Sequence, residues 1–337
     1  PSKLALTQTG LVNNFAVPAK WPATLIVLLN DDCGSSILNG SVDASFSNGD
    51  PPLTLRADTQ MGAYSATWQA GAVTPQMVVT VHAEAGSLQP ATIQLSGTIN
   101  PNTAPVLFKN GTVNVFNRVS GGALAPGTIV EVYGTGLASG TATPGVLPLP
   151  NSFNGTIVVA GGFQLPLYYL SDGQLDAEIA VDLPANQQHA ILVAANGTFT
   201  IPDLIDVVPV QLGVAAYTDG HAIAQHGADF SYVTASSPAK PGEVLVIYLS
   251  GMGPTNPAVK SGDPAPGTEP LARVTLIPAV MVDGQDANVG YAGLSPGFVG
   301  LYQVNFTVPS NAKNGNLNLV IVQNGVTANI TKLPVAK

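Results

Sequence analysis

Apolar and polar residues alternate one for one in segment after segment of this chain, and each segment stops at glycine, proline or asparagine. Met77, Val79, Val81 and Ala83 alternate with Val78, Thr80, His82 and Glu84. Ile93, Leu95 and Ile99 share a face opposite Thr92, Gln94, Ser96 and Thr98, and Tyr302, Val304, Phe306 and Val308 alternate with Leu301, Gln303, Asn305 and Thr307. Successive side chains of a strand point to opposite faces, so this is the pattern of strands with one face in a core. Residues 244–249 are apolar throughout, as in a central strand covered on both faces, and residues 23–29 read as a core strand. No stretch carries a 3.6-residue period, and 36 Gly and 28 Pro in 337 residues leave little room for long helices. Many short strands between turns predict an all-β chain of tandem immunoglobulin-like β-sandwich domains.

Charge narrows the function. Only 9% of residues are charged, against roughly 25% in an ordinary soluble domain. Ser, Thr, Asn and Gln must supply the surface, which tolerates changes of pH and salt but lacks the repulsion that keeps proteins apart. A net charge of −9 with 11 scattered basic residues excludes a nucleic-acid partner, whose phosphates need clustered Lys and Arg. No apolar run approaches the roughly 20 residues of a membrane-spanning helix. The sequence starts at Pro1 without a signal peptide, which reads as a mature or trimmed product. Cys33 is the single cysteine, so its ordinary reading is a buried thiol and its sharper one an intermolecular bridge.

Length and punctuation predict three domains. The first spans 1–102, ending at Asn100-Pro101-Asn102, with Trp21 and Trp68 in its core. Its Asp58, Gly62 and Tyr64 resemble a tyrosine corner, and the segment resembles a bacterial immunoglobulin-like repeat. The remainder holds an internal duplication. Pro126-Gly127-Thr128-Ile129-Val130-Glu131-Val132-Tyr133 returns as Pro241-Gly242-Glu243-Val244-Leu245-Val246-Ile247-Tyr248, and Gln174-Leu175-Asp176-Ala177-Glu178-Ile179 as Gln303-Val304-Asn305-Phe306-Thr307-Val308. Glycine turns follow the first motif, at Gly134-Thr135-Gly136 and Gly251-Met252-Gly253, and each half closes on an Asn-Gly turn, at Asn196-Gly197 and Asn324-Gly325. These are read as two sandwiches of one plan, 103–212 and 213–337.

From about 104 to 337 the chain resembles an uncharacterised C-terminal domain family of secreted proteins in Acidobacteria such as Solibacter. The motifs that carry the resemblance are Ala125-Pro126-Gly127-Thr128-Ile129-Val130 through Tyr133-Gly134-Thr135-Gly136-Leu137, Tyr169-Leu170-Ser171-Asp172-Gly173-Gln174, Pro238-Ala239-Lys240-Pro241-Gly242-Glu243, and Tyr291-Ala292-Gly293-Leu294 with Gly300-Leu301-Tyr302-Gln303-Val304 to Val308-Pro309. Ala180 departs from the family, which often has proline there. The resemblance implies an exported, cell-surface or matrix protein and supplies no chemistry.

No catalytic motif is evident, and the chain reads as a non-enzyme without cofactor or metal. Gly134, Gly136 and Gly140 suggest a dinucleotide loop only superficially, because no helix pattern follows to meet a pyrophosphate. His221 and His226, with Asp219 and Asp229 nearby, read as exposed hairpin residues before a metal site. Asp283, Asp286 and Asn288 read as a hairpin turn before a calcium site. The acids are dispersed, so nothing pairs two of them as glycoside hydrolysis requires. Tyr168, Tyr169, Tyr291 and Tyr302 are candidate sugar platforms, with core or edge packing the plainer role. Six sequons, at Asn39, Asn110, Asn154, Asn196, Asn305 and Asn329, are candidate glycosylation sites if the source glycosylates exported proteins. The expected function is an extracellular structural or adhesive protein, self-associating into a surface polymer or filament. A carbohydrate-binding module that takes extracellular polysaccharide is the alternative, and a glycoside hydrolase is third.

Overall fold

The computed structural model describes residues 1–58 and 63–337, among which there is no helix. The chain forms two compact units, Pro1–Thr103 and Ala104–Lys337.

In the first unit, β1 (Leu4–Gln8), β2 (Phe15–Pro18), β3 (Pro22–Asp31), β4 (Ser41–Phe46), β5 (Leu53–Asp58), β6 (Ala63–Gln69), β7 (Thr74–Glu84) and β8 (Ala91–Asn100) make two layers. One runs β1-β3-β6-β5 and the other β4-β7-β8-β2, with β2 parallel to β8 and a β4–β5 pairing joining the layers. Apart from β2, this is the A-B-E-D against C-F-G order of an immunoglobulin sandwich. The alternation holds: Leu25, Val27 and Leu29 of β3 and Met77, Val79, Val81 and Ala83 of β7 are buried between the layers. Trp68 lies at the centre, stacked on Phe46 at 4.7 Å with the edge of Phe15 at 6.2 Å. Its indole N–H donates to Asp50 Oδ2 at 2.9 Å.

Two side chains expected inside are not. Trp21 is only half-buried, and Cys33 is exposed. Trp21 immediately precedes β3 and Cys33 sits in the turn just after it, so neither is bound by the strand's alternation. Gly62 lies outside the described residues. Tyr64 is buried on β6, where its hydroxyl donates to Ile37 O at 3.0 Å and accepts from Gly40 N at 2.9 Å. It therefore ties β6 to the loop entering β4, a longer reach than the few residues of a tyrosine corner.

The second unit begins with β9 (Val106–Asn114), β10 (Ile129–Thr135), β11 (Thr156–Ala160), β12 (Phe163–Gln164), β13 (Leu167–Leu170), β14 (Gln174–Glu178), β15 (Gln187–Ala195), β16 (Thr198–Phe199) and β17 (Asp203–Val207). It continues with β18 (Gly213–Val214), β19 (Ala224–His226), β20 (Val244–Ser250), β21 (Thr255–Asn256), β22 (Arg273–Val274), β23 (Ala279–Val282), β24 (Gln285–Leu294), β25 (Tyr302–Thr307), β26 (Gly315–Gln323), β27 (Val326–Thr327) and β28 (Thr331–Val335). The earlier lobe pairs β9-β10-β14-β13 in one layer and β11-β15-β17 in the other. The later lobe pairs β18 and β19 with β20, then β25 and β24, and opposes β23-β26-β28. Both are again A-B-E-D against C-F-G, each around its own hydrophobic cluster. In the later lobe β24 is one long strand that serves both layers. In the earlier lobe Pro166, which has no N–H to give a ladder, stands between β12 and β13.

The duplicated motifs make duplicated bonds. Gly127 N donates to Ile179 O at 2.9 Å and Ile179 N to Thr128 O at 2.8 Å; Gly242 N donates to Val308 O at 2.9 Å and Val308 N to Glu243 O at 2.8 Å. Leu124 bridges Val207 in parallel as Ala239 bridges Val335. Asn196-Gly197, Asn324-Gly325 and Asp283-Gly284 each have two successive positive φ angles, the type I′ hairpin signature. The glycine corners exist for close approach: a Cβ on Gly134 would lie 2.1 Å from Val106 O, and one on Gly251 2.0 Å from Gln211 O. Strand β20 is central as expected, with Leu245, Val246, Ile247 and Leu249 buried, but Val244 is exposed and Tyr248 half-buried.

Candidate functional site

Strand alternation in the earlier lobe sends Val130 and Val132 of β10 and Leu175 and Ala177 of β14 into the core. Glu131 and Tyr133, with Gln174, Asp176 and Glu178, must then share the outer face. The register sets Glu131 directly opposite Asp176 and Ile129 opposite Glu178. Glu131 is buried, accepting from Arg118 at 2.6 Å through one oxygen and from the Tyr133 hydroxyl at 2.8 Å through the other. Burial raises the Asp176 carboxyl above its usual range, and the Glu131 charge adds to this against the hydrogen bond from Gln174. Sequence reasoning missed this gathering of acids because cross-strand register is invisible along the chain.

Glu178 lies where the two lobes of this unit meet. Gly262 N donates to its Oε2 at 2.6 Å, Val181 N donates to Ser261 Oγ at 2.9 Å, and the Tyr302 hydroxyl donates to Gly253 O at 2.6 Å. The Tyr168 hydroxyl donates to Val299 O. These bonds border a cavity of about 320 Å³ lined by Glu178, Asp182, Asp263, Thr255, Pro254 and Tyr302 among others. Burial pushes the Glu178 carboxyl up to about 7, with the Asp263 charge assisting and the Gly262 N–H opposing. Burial, followed by the Glu178 charge, raises the Tyr168 and Tyr302 phenols.

The later lobe repeats this face without its charge. Val246 stands opposite Asn305 where the earlier lobe has Glu131 opposite Asp176. Gln303 Nε2 donates to Asn305 Oδ1 at 2.8 Å, as Gln174 Nε2 does to Asp176 Oδ1 at 2.7 Å. The Tyr248 hydroxyl donates to Gln225 Oε1 at 2.7 Å. The result is a neutral surface of amides and tyrosine.

The residues singled out from sequence are mostly dispersed. Tyr302 and Tyr291 are buried, with the Tyr291 hydroxyl on Leu294 O at 2.7 Å and Arg273 over its ring at 4.9 Å. Tyr168 and Tyr169 are half-buried on β13. His221 pairs with Asp219 at 3.0 Å in a turn. His226, expected to be exposed, is largely enclosed: its Nδ1 faces Glu243, and its Nε2 lies 3.2 Å from both the carbonyl oxygen and Oγ of Ser237. Asp283 occupies the β23–β24 turn, with Asp286 and Asn288 on β24. Among the described residues no group of three or more His, Cys, Asp or Glu is placed to hold a metal ion. Asn39, Asn110, Asn154 and Asn196 are exposed. Asn305 is half-buried, and so is Asn329, whose side-chain amide bonds both Val214 N at 2.7 Å and Val214 O at 3.0 Å. No described helix is long and apolar enough to cross a membrane.

No protein-family model matches the chain, and no curated protein matches it. Solved structures do. One is the Bacteroides ovatus mixed-linkage glucan utilization locus SGBP-B in complex with a mixed-linkage heptasaccharide, 11% identical, with 100% of this chain and 71% of that chain covered and a TM-score of 0.35. The Clostridium thermocellum CbhA fibronectin(III)-like modules are 9% identical, covering 60% of this chain and 93% of theirs at a TM-score of 0.23. The tandem Ig repeats of Dlar are 11% identical, covering 61% and 98% at 0.23. The class that strand order defines is the tandem immunoglobulin-like β-sandwich protein.

Proposed function

We propose that this chain is an extracellular structural or adhesive protein that associates with copies of itself through neutral, partly apolar surface. One observation carries the reading: large apolar side chains stand outside on a surface with few charges. Phe199, Phe230, Tyr232, Ile277, Phe298 and Ile330 are each more than half exposed, Ile277 reaching 68%. Scattered singly such residues mean little, but without surrounding charge they lack the usual barrier to association. Phe230 is held at φ 59°, a costly conformation for a bulky residue, and presents its ring to solvent. The shortest sheet edges, β12, β16 and β27, are only two residues long, while β1 at five residues offers a longer edge for pairing. The resemblance to exported acidobacterial proteins supports placement outside the cell. Sedimentation velocity over a concentration series tests this: the proposal expects mass to rise with concentration and to fall back in F230S/I277S.

A second reading, polysaccharide binding, is favoured by the face formed by Gln225, Tyr248, Gln303 and Asn305. Amides and tyrosine offer a sugar hydrogen bonds and an apolar ring without charge. A glycan array probed with wild type and Y248A tests it; equal signals from the two would remove this face from consideration.

A further inference from the structure

The duplication supplies an internal control for what the fold needs, and the later lobe carries a constellation that the earlier lobe lacks. His226 ends β19, Glu243 follows the Pro241-Gly242 turn, and Ser237 lies in the loop between them. The ring Nδ1 faces Glu243 Oε1, and the ring Nε2 lies 3.2 Å from Ser237 Oγ and equally far from the Ser237 carbonyl oxygen. The other carboxylate oxygen accepts from Lys240 N at 2.8 Å. Ser237 is exposed, while the His226 and Glu243 side chains are 12% and 20% exposed. The three border an open cavity of about 450 Å³ that Lys240 and Lys337 also line.

The equivalent turn of the earlier lobe shows which part is structural. There Ala125 N donates to Thr128 Oγ1 at 3.3 Å, the counterpart of Lys240 N donating to Glu243. A hydroxyl therefore suffices to close the turn, and the second oxygen of Glu243 faces His226 instead. Val130 pairs with Asn114 as Leu245 pairs with His226. Asn114 caps local backbone by accepting from Phe116 N at 2.9 Å, and no His–carboxylate pair is present at that position. The fold is built once without the His–Glu pair, so its presence in the second copy calls for another account.

We propose that Ser237, His226 and Glu243 form an acyl-transfer centre acting on small carboxylic esters. A serine hydroxyl becomes a nucleophile when a neutral imidazole nitrogen takes its proton and a carboxylate fixes the tautomer from the other side. In the neutral ring that this chemistry requires, Glu243 holds the proton on Nδ1 and the Nε2 lone pair takes the proton of Ser237 Oγ–H. Ser237 Oγ bonds to the ester carbonyl carbon while its proton passes to Nε2. The carbon–oxygen bond to the alcohol breaks, and the alcohol leaves with that proton. Water then attacks the acyl-serine and gives a proton to Nε2, the Ser237 Oγ–acyl bond breaks, and Ser237 recovers the proton as the acid departs. Lys240 and Lys337 line the cavity together with Asp229, and a lysine ammonium is the group proposed to meet the oxyanion.

The test treats the full chain with a fluorophosphonate probe and follows intact mass and peptide mapping, with 4-nitrophenyl acetate hydrolysis in parallel. The proposal expects one adduct, on Ser237, absent from S237A. It also expects labelling and hydrolysis to fall at least about tenfold in H226Q and in E243T, the latter restoring the earlier lobe's residue at the turn. Absence of an adduct, an adduct that survives S237A, or an undiminished rate in E243T would overturn it. S237A alters an exposed loop side chain, so loss of labelling there is not a folding defect.

Discussion

Replacing Glu178 by Gln separates the cost of a buried carboxyl from the rest of the second unit. Its carboxyl titrates at about 7 in the folded chain against a reference of 4.5. Because the folded value is the higher one, ionisation is easier in the unfolded chain. The group imposes no penalty below pH 4.5, where both states are protonated. The penalty grows as pH rises from there and is complete above 7. A difference of this size corresponds to about 3 kcal/mol at 1.36 kcal/mol per pH unit. Gln keeps an oxygen to accept the 2.6 Å bond from Gly262 N and carries no charge. E178Q therefore matches wild type at pH 4 and exceeds it by about 3 kcal/mol at pH 8, a rise in Tm on the order of 5–10 °C for a unit this large. Urea denaturation and scanning calorimetry of both proteins across pH 4–8 measure this. Equal stability at every pH, or a less stable E178Q at pH 8, would show that Glu178 is solvated or compensated and that the lobe junction is not as closed as described.

Tyr64→Phe removes a hydroxyl that serves Ile37 O and Gly40 N, so the first unit loses about 1–3 kcal/mol, read as a lower denaturation midpoint with unchanged m. Cys33 is exposed, so the native chain titrates one thiol with Ellman's reagent at the rate of the unfolded chain; strong protection would contradict its placement. Phe306→Ala opens a cavity in the later lobe's core and costs about 3–5 kcal/mol by thermal or urea melting.

What was legible in the sequence follows from what is local in the structure. The alternation through Met77, Val79, Val81 and Ala83 and the turn residues at Asn196-Gly197, Asp283-Gly284 and Asn324-Gly325 are settled within a few residues, and each behaves as read. The duplicated motifs were visible as strings, and their shared hydrogen bonds match strand for strand. Trp21 and Cys33 were misplaced because residues just outside a strand escape its period. The site residues were harder. Glu131 meets Asp176, and Glu178 meets Gly262, only through sheet register and lobe contact. His226 drew attention beside His221, but its partners are Glu243 and Ser237, brought in by the turn and loop that follow. Glu131 against Val246, Asp176 against Asn305 and Glu178 against Thr307 in the two copies were the signals within reach, since a carboxylate present in one repeat and neutral in the other marks a residue the fold does not require.

The proposed self-association rests on scarce charge and exposed apolar side chains. Electron microscopy with light scattering on purified full chain at pH 4, 6 and 8 tests it most directly. Association predicts ordered or growing assemblies that persist across pH, since so few ionisable groups stand between neighbours. A monodisperse monomer at every pH and concentration would contradict it.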